Sequence, residues 1–219
     1  MRLRWLLIVV LALGVTSCGG PRYLPDPDTH IVRRGETLFS IAWRYDKNPA
    51  DVARWNGLGD GSLIHPGDVI RLAPPPPGAV ATRPPARRLP TVPTQPPPPW
   101  AWPTSGGVSV EFGGKPGTGT GILIDGQAGQ PIKAAASGKV VYAGSGLIGY
   151  GQLIIVKHND TYLSAYGYNA RVLVEEGETI NRGQRIATMG EGPERKARLH
   201  FEIRRNGKPV NPRQYLPAR

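Results

Sequence analysis

The chain has 219 residues, with 27 Lys and Arg against 16 Asp and Glu, a net charge of +11 and a pI near 10.2. One cysteine, Cys18, excludes an internal disulfide and any Cys-rich zinc site. The positive charge is spread out, with no basic cluster interleaved with aromatics, which points to an anionic wall polymer, membrane surface or acidic protein and away from nucleic acid.

Arg2 and Arg4 precede an apolar run over residues 5–15. A membrane span needs about 20 apolar residues, so residues 1–17 read as an export signal. Val15-Thr16-Ser17-Cys18, followed by Gly19-Gly20, resembles a bacterial lipobox. The resemblance implies that Cys18 is lipidated and becomes the N-terminus. No Asp follows Cys18, which implies an outer-membrane lipoprotein facing the periplasm. Residues 18–28, with Pro21, Pro25 and Pro27, form a short spacer.

Residues 29–73 carry six Lys and Arg against five Asp and Glu and read as a β-α-α-β module. Thr29 to Arg33 is a strand, Gly35-Glu36-Thr37 a turn, and Thr37 a helix N-cap. Leu38, Ile41, Ala42 and Tyr45 then fall on one helical face. Asn48 caps a second helix with Pro49 in its first turn, Val52 and Trp55 form its apolar face, and Asn56-Gly57 ends it. Val69 to Leu72 returns as a strand after the Pro66-Gly67-Asp68 turn. Trp43 and Trp55 are expected in the module's core.

The module resembles a LysM domain, the glycan-binding unit of cell-wall proteins. The resemblance rests on Val32-Arg33-Arg34-Gly35-Glu36-Thr37-Leu38, Ile41-Ala42, Trp55-Asn56 and Ile64-His65-Pro66-Gly67-Asp68-Val69-Ile70. It implies a groove for N-acetylglucosamine units of peptidoglycan strands. Gly35, Glu36, Thr37 and Leu38 flank that groove on one side, and Leu63, Ile64, His65 and Pro66 on the other.

Residues 74–105 are Pro-rich, with Pro74 to Pro77, Pro84-Pro85 and Pro96 to Pro99, and show no apolar periodicity. Such a segment does not bury enough surface to fold. In polyproline II it extends about 3.1 Å per residue, a reach on the order of 100 Å. Trp100 and Trp102 are expected to pack on the edge of the next domain.

Residues 106–219 carry fifteen Lys and Arg against nine Asp and Glu and read as a compact antiparallel β domain. Val140 to Tyr142, Gln152 to Lys157 and Thr161 to Tyr166 are strands, Asn159-Asp160 is a tight connection, and Asn206-Gly207 marks a hairpin. Further short strands are expected at Val172 to Val174 and Arg185 to Thr188. In Arg198-Leu199-His200-Phe201-Glu202-Ile203 the apolar residues alternate with Arg198, His200 and Glu202, so Arg198 and His200 share a strand face.

This region resembles the LytM, or lysostaphin-type, zinc peptidases, which have a mainly-β duplicated-hybrid-motif fold. The matching motifs include Gly129-Gln130-Pro131-Ile132-Lys133-Ala134, Gly138 to Gly144, Gly149-Tyr150-Gly151, Tyr162 to Gly167, Gly183 to Ala187 and Val210 to Pro217. An active member holds zinc with a His, an Asp four residues later, and the second His of a His-x-His pair. Aligning on Gly121-Ile122 puts Gly119 and Leu123 at the first two ligand positions. A slip that retains Asp125 as the carboxylate puts Gly121 at the His. Tyr168 stands where a further catalytic His follows Tyr-Ala, and Arg198 stands at the first His of the pair. A guanidinium stays protonated near neutral pH and is no general base. Catalytic zinc takes about three protein ligands, and of this set only His200 remains. His158, beside the Asn159-Asp160 turn, reads as structural.

The expectation is a peptidase fold without peptidase chemistry, metal or cofactor. Gly119, Leu123, Tyr168, Arg198 and His200 would line a partner-binding cleft. Arg198 would present a positive charge there, suited to a carboxylate or a helix C-terminus; the alternative is that it pairs internally with an acidic neighbour. The order of lipobox, LysM and LytM regions resembles that of NlpD-like lipoproteins. It implies a non-enzymatic activator of periplasmic N-acetylmuramoyl-L-alanine amidases in septal wall splitting. The alternatives are a zinc murein endopeptidase with unusual ligands and a passive tether between membrane and peptidoglycan.

Overall fold

The computed structural model describes residues 27–58, 64–76, 94–116 and 118–219; Cys18, Leu63 and most of the Pro-rich stretch lie outside the described residues. Among the described residues no helix is long and apolar enough to cross a membrane.

The first module has the order β1 (Thr29–Ile31), α1 (Leu38–Arg44), α2 (Pro49–Trp55) and β2 (Val69–Arg71), with β1 and β2 antiparallel. Its helices begin where the cap residues dictate. Thr37 Oγ1 accepts from the Ser40 amide at 3.1 Å, and Ser40 Oγ accepts from the Thr37 amide at 2.9 Å, a reciprocal box. Asn48 Oδ1 accepts from the Ala50 amide at 2.9 Å, with Pro49 opening α2. The core is Val32, Leu38, Ile41, Ala42, Val52, Ala53, Ile70 and Leu72, with Trp55 leaning on it.

Trp43 departs from expectation. It is buried among Tyr142, Leu147, Tyr150, Leu153 and Ile155 of the second domain, not in its own module. Five residues beyond Leu38, it points about 140° away from that core residue on the helix.

The second domain comprises β3 (Val108–Val110), β4 (Ile122–Asp125), β5 (Pro131–Lys133), β6 (Gly138–Gly144), β7 (Gln152–Lys157), β8 (Tyr162–Val172), β9 (Thr179–Ile180), β10 (Arg185–Met189), β11 (Arg198–Arg205) and β12 (Lys208–Val210). They run as an antiparallel sheet in the order β3-β4-β11-β8-β7-β6-β9; β10 pairs with β5 and β8, and β12 pairs with β11. Asn206-Gly207 forms the β11–β12 hairpin turn, with Arg205 opposite Lys208. One face carries the main core, including Leu199, Phe201, Ile203, Tyr166, Ile154 and Ile132. The other carries Tyr142, Leu153, Ile155, Leu163 and Ala165, against which Phe39 and Trp43 of α1 pack.

The packed structure of this domain begins ahead of residue 106. The Ala101 amide donates to Ala135 O at 2.8 Å, the Lys133 amide donates to Pro103 O at 2.7 Å, and Asn159 Nδ2 donates to Pro96 O at 3.1 Å. Trp100 is buried in the main core with its ring edge-on to His158, Tyr162 and Tyr215. The second half of the Pro-rich stretch therefore straps the domain. A proline-rich backbone lacks ladder donors but still offers carbonyls and a place for one large ring.

Candidate functional site

The site is the polar face of β11. Alternation along this strand sends Arg198, His200, Glu202 and Arg204 to the side opposite Leu199, Phe201 and Ile203. Antiparallel pairing with β4 sets Leu123 opposite His200 and Asp125 opposite Arg198. Pairing with β8 sets Gly167 opposite His200 and Ala165 opposite Glu202.

Tyr168 reaches the same neighbourhood through a bulge. Between the Ile154–Tyr166 and Gln152–Asn169 pairs, β8 gains a residue on β7. Tyr168 has φ 60°, a left-handed conformation that re-aims a side chain. Its ring stands edge-on to His200 at 5.8 Å, and Tyr150 does the same at 5.3 Å. Gly192 leaves room for the Tyr168 ring, because a Cβ there would lie 2.9 Å from it.

His200 is 1% exposed. Its Nε2 donates to Glu202 Oε1 at 3.0 Å, an assignment that follows from the ionised carboxylate, and lies 3.4 Å from Thr118 Oγ1. Its Nδ1 is buried without a hydrogen-bond partner. Glu202, fully buried, is the hub. It also accepts from Tyr150 OH at 2.8 Å, from Thr120 Oγ1, and from Arg204 Nε at 3.0 Å. Burial alone would raise its pKa. The Arg204 charge, His200 and the hydroxyl bonds outweigh that and hold it at about 2. Burial, together with the Glu202 charge, pushes the Tyr150 phenol up to about 12.

The donor set does not fit the zinc of a LytM-type peptidase. Around His200 stand Leu123, Tyr150, Tyr168 and Thr118, and no group of three or more His, Cys, Asp or Glu able to hold a metal occurs among the described residues. Gly119, at φ 77°, has open space for a side chain but offers no ligand. Gly121 has none: a Cβ there would lie 2.4 Å from Phe201 O. The slipped alignment that would seat a His at Gly121 is therefore sterically excluded. His158 belongs elsewhere. It bonds Ser137 O and Ser164 Oγ, both at 2.8 Å, on the Trp100 side of the sheet, and burial lowers its pKa to about 4.

Of the two readings of Arg198, the geometry fits internal pairing: the residue is 5% exposed, Nε donates to Asp125 Oδ1 at 2.8 Å, and Nη1 lies 3.6 Å from Glu194. The cross-strand register that sets Asp125 opposite Arg198 is the cause. More of the polar chemistry of this face lies further along it, buried beneath α1 at residues that sequence reasoning did not single out. Arg204 Nη1 donates to Trp43 O and to Asp46 Oδ1, both at 2.8 Å, and its guanidinium lies 3.6 Å over the Trp43 ring. The i, i+2 alternation that joined Arg198 to His200 also carries Glu202 and Arg204, which was the available signal. At the rim, the β6–β7 loop carries Leu147 and Tyr150 inward and Ile148, 98% exposed, outward.

In the first module, the side chains of the loop from Gly35 to Leu38 mostly point inward. Glu36 binds His30 Nε2 at 2.6 Å, the Arg33 amide at 2.9 Å and Arg44 Nη1 at 2.5 Å. Burial opposes its ionisation, but these donors prevail and lower its pKa. Thr37 caps α1 and Leu38 is core, so this loop offers a ligand mainly its backbone and Gly35. Across from it, His65 and Pro66 are exposed or nearly so and Ile64 is half-buried, with the His65 amide donating to Asp68 Oδ2 at 2.8 Å.

These features define a LysM module joined to a domain of the M23 peptidase fold. A profile for Peptidase family M23 matches residues 117–212, and one for the LysM domain matches residues 30–73. The lipoprotein NlpD/LppB homolog of Pseudomonas aeruginosa is 43% identical over 233 aligned residues, which cover 87% of this chain and 77% of that protein. The chain belongs to the NlpD/LppB lipoprotein family. The murein hydrolase activator NlpD of Escherichia coli is 56% identical over 120 residues, which cover 55% of this chain and 32% of that protein. The chain thus spans about a third of that relative's length. A zinc containing peptidase from Vibrio cholerae is similar in structure, with 26% identity, 50% of this chain and 37% of that one covered, and a TM-score of 0.45.

Proposed function

We propose that this chain is a non-enzymatic activator of cell-wall amidases, held to the outer membrane by a lipid on Cys18 and to peptidoglycan by its LysM module. The observation that supports this reading is the packing around His200, at the place where the LytM resemblance implies a metal centre. Leu123, Tyr150 and Tyr168 surround His200, while the sheet that frames them is retained. A catalytic zinc site needs about three ligands and an open position; among the described residues this face offers one imidazole, itself 1% exposed. Relatives carry the name murein hydrolase activator, which supports the same reading.

The polar face of β11, with the β6–β7 loop at its rim, is the groove offered to the amidase. An exposed isoleucine beside buried aromatics is a suitable anchor for a protein partner. Immobilised protein should bind a purified cell-wall amidase, and Ile148→Asp should weaken that binding about tenfold, the scale of one well-packed apolar anchor. Unchanged binding would move the partner surface off this rim, and no binding by the wild type would refute the activator reading.

A further inference from the structure

We propose that the LysM module is a removable cap on the groove, and that the amidase element displacing it is a helix C-terminus bearing an aromatic ring and a nearby carboxylate. This rests on the groove being the amidase-binding surface. The cap's own contacts define the socket. Trp43 lies in the last turn of α1, where its carbonyl accepts one amide, that of Asp46 at 3.3 Å, and keeps a lone pair for a further donor. Its carbonyl accepts from Arg204 Nη1, its ring covers the guanidinium, and Asp46 Oδ1 takes a further bond. Arg204 thus reads three features at once: a terminal carbonyl, an aromatic face and a carboxylate.

Two observations make the contact separable. Trp43 and Phe39 pack with the second domain's cluster and not with the module's own core, so the module's core survives undocking. Arg204 retains Glu202 when the module leaves, so its charge stays paired. Other contacts include Arg44 Nη2 to Gly146 O at 3.4 Å and Gly207 against the Lys47 carbonyl. The cap sits over Arg204, four residues from His200 along β11, or about 13 Å at strand spacing. Trp43 also touches Tyr150, whose ring contacts His200.

The test compares the full chain with a Trp43→Ala/Asp46→Asn variant for stimulation of a purified cell-wall amidase, with sedimentation on sacculi to verify that the module stays folded. A closed population lowers apparent affinity in proportion to the open fraction. The variant should therefore reach half-maximal stimulation at about tenfold lower concentration. Should the double variant fail to fold, Asp46→Asn alone, at a half-exposed position, should shift in the same direction. Equal half-maximal concentrations would overturn the cap while leaving the amidase reading intact. Loss of stimulation in a folded variant would also overturn it, by making the docked module part of the activating surface. No stimulation by either protein would remove the amidase reading, and the cap with it.

Discussion

Glu202→Gln probes the hub under the groove. The carboxylate is fully buried and joins His200, Tyr150, Thr120 and Arg204. Glutamine retains an acceptor for the hydroxyls and the imidazole but sets an amide donor against Arg204 Nε. It also leaves that buried guanidinium paired only with the half-exposed Asp46. Breaking a buried pair in this way costs about 3–5 kcal/mol. The pKa gives a second measure. A carboxylate held near 2 when folded, against about 4.3 unfolded, contributes about 3 kcal/mol at neutral pH. Because the folded value is the lower one, that contribution is present above the unfolded pKa and is lost as pH falls from about 4 to 2. Urea unfolding followed by tryptophan fluorescence should show the variant about 3 kcal/mol less stable at pH 7. The gap should close over that acid window. A loss below about 1 kcal/mol at pH 7, or a gap unchanged down to pH 2, would refute the hub.

His158 should add a second, separate pH dependence. Its folded pKa near 4 lies below the usual imidazole value, so its contribution is present above about 6.5 and lost as pH falls toward 4; His158→Gln should flatten the stability curve in that window, and an unchanged curve would contradict its burial as the neutral form. Cys18→Ser should leave the protein out of the membrane fraction, and undiminished retention there would contradict the lipid anchor.

Local rules made much of the architecture legible. Thr37 and Asn48 start helices because their side chains satisfy amides within the same turn, which three or four residues of sequence disclose. The alternation of β11 was equally local. What stayed hidden depended on register and on contacts between distant segments. Asp125 neutralises Arg198 only because β4 and β11 pair as they do, and no local pattern fixes that pairing. Tyr168 turns toward His200 through an extra residue in β8, whose detection requires both strands. Trp43 is core-packed, but in a core shared with the second domain, because its angular position on α1 faces away from Leu38. The Pro-rich composition of residues 94–105 concealed a strap, because the anchoring ring of Trp100 has its partners about 60 and 115 residues further on, at His158, Tyr162 and Tyr215.

The central claim is that a groove without a metal centre acts on another enzyme rather than on the wall. Dye release from labelled sacculi tests it most directly, with the purified protein alone, with added zinc, and with a purified cell-wall amidase. The account predicts no release above buffer in the first two conditions and release faster than the amidase gives by itself in the third. Zinc-dependent release by the protein alone would contradict it.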